Sequence, residues 1–168
     1  MVAKIKIFII IFLSIILQVS FSPALTGGRI IPDIVLVLIV LWSGRKKFED
    51  IWLWVLFGGL ILDIAVFGKI GINAISFLLI SFVTSLLQER FFIVQRTGSF
   101  LITLAIVAGT TVVNLMSVDI LSDFYINISL IWIGAKIIGN LVVAIFFYIA
   151  MLRFGEIFGI RERKLLVR

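Results

Sequence analysis

The chain is a succession of apolar runs, each too long and too free of charge to be the core helix of a water-soluble domain. Hydrophobic residues fill 62% of the 168 positions and charged residues only 14%. Mean hydropathy is +1.30. Too little polar surface exists to cover such a chain in water, so it reads as an all-α integral membrane protein. No stretch between the runs is long enough for a soluble domain. Residues 1–168 are therefore expected to form a single polytopic membrane domain.

Six segments meet the hydropathy criterion, at about 5–21, 30–43, 51–67, 72–87, 98–118 and 129–152. The second is short for a hydrocarbon layer about 30 Å thick at 1.5 Å of rise per residue. It must borrow flanking residues, stand upright, or dip without crossing. The first run follows Lys4 and Lys6 and ends near Ser22, Pro23 and Ala24, which resembles a secretory signal. Its length, and the spans after it, favour a retained first helix.

The net charge of +6 is a topology signal, because the basic residues sit in short clusters between apolar runs. In a six-span arrangement Lys4, Lys6, Arg45, Lys46, Lys47, Arg90, Arg96, Arg153, Arg161, Arg163, Lys164 and Arg168 share one side. Only Arg29 and Lys69 fall in loops on the other, and Lys136 lies inside a span. The positive-inside rule then places both termini in the cytoplasm and predicts no nucleic-acid partner. Trp42, Trp52 and Trp54 are expected at the cytoplasmic headgroup level and Trp132 at the outer one. The stretches 88–96 and 155–168 mix basic with bulky apolar residues, a pattern that suits the inner membrane surface or merely fixes topology.

Chemistry is restricted by what is missing. With no His and no Cys, there is no imidazole base, thiolate nucleophile or Cys/His metal cluster. Neither a Gly-Lys-Ser/Thr phosphate loop nor a Gly-x-Ser-x-Gly elbow occurs. Asp33 and Asp63 alone are too few ligands for a divalent ion. The expectation is a protein without catalytic residues and without cofactor.

Polar groups inside apolar runs carry what remains. Asp33 follows Pro32 at the start of the second span, where a carboxylate meets the positive end of the helix dipole. It is either a helix start or a partner- or ion-binding group. Asp63 and Lys136 both fall in the outer half of the bundle. An Asp63–Lys136 ion pair would relieve both burial costs; otherwise each finds water or a partner, and the lysine stem reaches outward. Asn73, Asn114 and Asn140 are expected to bond between helices. Ala105 with Gly109, and Ala135 with Gly139, are small residues four apart, expected to pack inside the bundle rather than between chains.

The run Pro32-Asp33-Ile34-Val35-Leu36-Val37-Leu38, the basic turn Gly44-Arg45-Lys46-Lys47, the segment Gly58-Gly59-Leu60-Ile61-Leu62-Asp63-Ile64 and the turn from Gly68 to Gly71 resemble the rod shape-determining protein MreD family. These motifs fall within about positions 32–90, while length, span number and basic turns resemble that family over the whole chain. Beyond position 98 no diagnostic motif occurs. The resemblance implies a non-enzymatic, multi-pass component of the bacterial cytoplasmic membrane that supports lateral peptidoglycan synthesis during cell elongation. Its implied partners are an MreC-like bitopic protein and, through it, an MreB-like cytoskeleton and a RodA–penicillin-binding-protein synthase. The family is similar in fold to substrate-binding subunits of energy-coupling-factor vitamin transporters, which leaves vitamin capture as the alternative function. A small carboxylate-using membrane enzyme is a third. Pro32, Asp33, Gly59, Asp63 and Gly71 match the family pattern, and with Lys136 they are the candidate site residues.

Overall fold

The computed structural model describes residues 2–21, 32–66, 69–91, 96–121 and 130–155. It is all-helical over these residues, with no strand among them. Helix α1 (Val2–Ile16) runs into a widened π-helical turn (Leu17–Phe21). Then follow α2 (Ile34–Ser43), α3 (Phe48–Ala65), α4 (Ile72–Phe91), α5 (Arg96–Leu121) and α6 (Leu130–Arg153). The signal-like Ser22-Pro23-Ala24, Arg29, and most of the basic stretches at 88–96 and 155–168 fall outside the residues or side chains described.

Helix α2 is the axis of the molecule. It touches every other helix, and all its residues from Val35 to Ser43 are buried. The sequence reason is the unbroken run Val-Leu-Val-Leu-Ile-Val-Leu-Trp, which is apolar on every face and has no side to offer water. Its ten residues rise about 15 Å, half a hydrocarbon layer. The expected second span, 30–43, is thus helical only from Ile34 within the described residues.

Two glycines bring the neighbours in. A Cβ on Gly59 would lie 2.4 Å from the Cα and 2.7 Å from the N of Ala74, so α3 and α4 cross with their backbones in contact. A Cβ on Gly58 would meet the Ile11 Cγ2 at 3.3 Å, on the side where α1 packs. Hydroxyls join α2 to α4. Ser43 Oγ donates to the Ile39 carbonyl at 2.8 Å, receives Ser81 Oγ at 2.8 Å, and the Ser43 carbonyl accepts from Ser85 Oγ at 3.3 Å. At the basic turn, the Arg45 guanidinium lies 4.8 Å from the centre of the Tyr148 ring. Burial pushes the Arg45 pKa down, opposed by its attraction to and hydrogen bond with Tyr148.

Around this apolar core, several polar groups within the helices point inward and many large apolar ones point outward. Gln18, Asp33, Asp63, Thr111, Asn114 and Asn140 are buried, whereas Phe12, Phe57, Leu79, Val142 and Phe146 are exposed. By length and composition α6 is long and apolar enough to cross a membrane. Ile7–Ser20, Ile34–Ser43, Ile72–Leu87 and Phe100–Met116 are shorter apolar stretches of 10–17 residues.

Trp42 is 2% exposed inside the bundle, and its Nε1 has no hydrogen-bond partner among the described residues. The apolar register of α2 carries it into the core with its neighbours. One sequence expectation is corrected: Ala105 and Gly109 do not pack internally. Both are exposed, and a Cβ on Gly109 would meet nothing within 4 Å. Gly139, by contrast, faces Pro32, whose Cγ lies 3.4 Å from a built Cβ.

Candidate functional site

The first four N–H groups of a helix lack intrahelical acceptors, and α2 begins inside the bundle, where water is scarce. Side chains from other helices take over. Gln18, in the π-helical turn, accepts from Val35 N at 3.0 Å and donates through Nε2 to Asp33 Oδ1 at 3.1 Å. Asn140 Oδ1, on α6, accepts from Asp33 N at 2.7 Å. Its Nδ2 donates to Thr111 Oγ1 at 2.9 Å, and that hydroxyl passes its own proton to the Val107 carbonyl at 2.7 Å.

The Asp33 carboxylate is neutralised here by Lys136, whose Nζ lies 2.8 Å from Oδ2. Asn114 Nδ2 adds a long contact to the same oxygen at 3.5 Å, while its buried Oδ1 has no partner among the described residues. Asp33 is buried, and the Lys136 side chain keeps 24% exposure. Three elements therefore meet the α2 carboxylate of Asp33: the π-helical turn through Gln18, α5 through Asn114 and α6 through Lys136, while Asn140, backed by Thr111, holds the Asp33 backbone N–H.

Asp63 belongs to a different construction. Its carboxylate accepts from Gly71 N at 2.8 Å, Asn73 N at 3.0 Å, Asn73 Nδ2 at 2.8 Å and, at 3.5 Å, Ala74 N. These donors belong to the turn and first residues of α4, so Asp63 caps from α3 the helix that follows it. Donated N–H groups and the positive helix end stabilise a carboxylate. Gly71, at φ +103°, turns its N–H toward that carboxylate in a conformation side chains disfavour.

The expected Asp63–Lys136 pair is thus overturned. The lysine turns to Asp33, whose carboxylate has only amide donors, while four N–H donors already surround Asp63. Pro32 and Gly59 serve packing, against Gly139 and Ala74. Gln18 was missed by sequence reading, although it is the one amide in the first apolar run. Asn114, Asn140 and Thr111 converge on Asp33 across distances that only the fold reveals.

Chemically, the Asp33 centre is an ion pair held by amides. Among the described residues no three His, Cys, Asp or Glu side chains gather as a metal site. Comparison with known protein families, curated proteins and solved structures finds no match.

Proposed function

We propose that the chain is a six-span protein of the bacterial cytoplasmic membrane, with both termini inside, that acts by binding other proteins of the cell-elongation machinery. The carrying observation is the set of hydrogen-bonded and ion-paired polar side chains inside a bundle whose outer helix faces expose many large apolar groups. That arrangement suits lipid as solvent. With the basic turn Gly44–Lys47 at the inner surface, the start of α2 and the Asp33 centre lie near the middle of the bilayer in this reading. The rod-shape assignment rests on the MreD resemblance between positions 32 and 90. Pro32, Asp33, Gly59, Asp63 and Gly71 all have structural tasks here, so in this reading the motif marks a shared bundle and partners dock on its surface. An MreC-like bitopic protein is the proposed first partner.

A reporter active only outside the membrane should be active when fused near Asp123 and silent after Arg168. Activity at the carboxy terminus would require an odd number of spans and end the six-span reading. Depletion in a rod-shaped host should yield rounded cells. Normal rods after complete depletion, in a host without a second copy, would overturn the elongation role. The Asp33 centre favours one second reading, capture of a small polar ligand, because Lys136 remains partly accessible. Loss of vitamin uptake with normal shape would select it.

A further inference from the structure

Arg45 is the first cation of the turn between α2 and α3, and it is half-buried where Lys47 is exposed. The turn is fixed by its backbone, since Arg45 N and Lys46 N both donate to the Trp42 carbonyl, at 2.8 and 3.0 Å. The guanidinium lies 4.8 Å from the centre of the Tyr148 ring on α6 and hydrogen-bonds to the same side chain. Phe100 of α5 backs that ring, with 4.8 Å between the centroids. A long, flexible side chain is thus pinned by residues far away in sequence, losing rotamer freedom and part of its hydration. Its neighbour Lys46 has Asp50 as a counter-charge, but Arg45 has no carboxylate partner among the described residues. Tyr148 cannot occupy all five N–H donors of a guanidinium.

We infer that Arg45, held over Tyr148, is a seat for the phosphate of an inner-leaflet phospholipid. Paired N–H groups of a guanidinium match two phosphate oxygens, and stacking on an aromatic ring leaves those groups in place to do so. A cation that only fixed topology would serve equally well as a free lysine such as Lys47 and needs no ring beneath it. Glu49 and Asp50, exposed on the first turn of α3, are offset by Lys46 and Lys47, which leaves Arg45 as the net charge of this corner. Depth selects a lipid as the source of the phosphate. In the six-span reading the turn lies at the inner surface, where headgroup phosphates are abundant and anionic lipids draw basic groups. The tails have a border to lie on: Leu101, Ile149 and Leu152, each within one turn of Phe100 or Tyr148, are exposed. A soluble phosphate compound makes no use of that apolar border.

The inference rests on the part of the proposed function that puts this turn at the inner membrane surface, and on no role in cell shape. Native mass spectrometry of the detergent-purified chain should show saturable binding of dioleoyl phosphatidylglycerol. Glycerophosphoglycerol, the same headgroup without tails, should bind at least about tenfold more weakly. Arg45→Lys keeps the charge and should still weaken lipid binding about tenfold, as should Tyr148→Leu, whereas Lys47→Gln should change it less than about twofold. Undiminished binding by Arg45→Lys, or an equal loss with Lys47→Gln, overturns the proposal. Equal binding of the tail-free headgroup assigns the seat to a soluble phosphodiester and overturns the lipid. The unaltered chain supplies a second measurement that needs no variant. In native membranes, phosphatidylglycerol with a photoreactive headgroup should label residues 44–47 above every other inner helix end, and even labelling overturns the seat. Cross-linking of this turn to an acidic segment of another protein, without lipid label, assigns Arg45 to that protein and also overturns it. Release of the chain by alkaline carbonate would fail the membrane reading itself, a result separable from missing label in protein that stays in the membrane.

Discussion

Gly59→Ala should be among the most damaging single-methyl changes this chain can suffer. The added carbon would fall 2.4 Å from the Ala74 Cα and 2.7 Å from its N, and a backbone cannot rotate away as a side chain can. Helices α3 and α4 must separate, which strains the Asp63 bonds across the same hairpin. Overpacking of this kind costs about 3 kcal/mol, the upper part of the usual range. Gly134→Ala is the control. Its Cβ meets nothing within 4 Å, so it should be neutral or stabilise by up to about 1 kcal/mol. Thermal unfolding and folded yield in detergent read both. Equal behaviour of the two variants would mean that α3 and α4 do not cross where described.

Asp33→Asn should cost about 3 kcal/mol, the low end for breaking a buried ion pair, because Lys136 keeps some outside contact. The asparagine still bonds to Gln18, but the ammonium loses its counter-charge. Lys136→Met leaves a carboxylate supported only by amides, a loss of similar size. The double variant should recover at least about 1 kcal/mol relative to the sum, since paired sites do not add. Asp63→Asn combined with Lys136→Met should show no such recovery, because Asp63 bonds the α4 turn. Melting temperatures of the single and double variants decide the matter. Additivity at Asp33–Lys136 would refute the pair.

Helical class and the inward placement of polar residues were legible in the sequence because hydropathy and the cost of buried charge depend on composition and spacing alone. That Asp33, Asp63 and Lys136 needed partners was equally legible. Which partners they chose was not. Asp33 read as a helix start and Asp63 as a charge within a span, and the difference in what they bind lies in backbone donors that the Gly71 turn aims at Asp63 and that no hydropathy pattern encodes. The same limit applied to Ala105 and Gly109: small residues at every fourth position do not tell which face of a helix the bundle covers. The burial of Trp42 among other side chains was not legible either, since a continuous apolar run carries every residue of α2 into the core.

The cap on α2 has a consequence for the order of events during synthesis. Asp33 is held by Asn140, 107 residues later in the chain, and by Lys136 just before it. At about 5–20 residues per second the ribosome needs roughly 5–20 s to cover that distance. Throughout that interval Gln18 already holds the Asp33 carboxylate and Val35 N, but the counter-charge from Lys136 and the Asn140 acceptor for Asp33 N do not yet exist. The core helix is thus laid down early and locked late. The last helix completes the core: a chain interrupted before α6 carries a carboxylate without its cation.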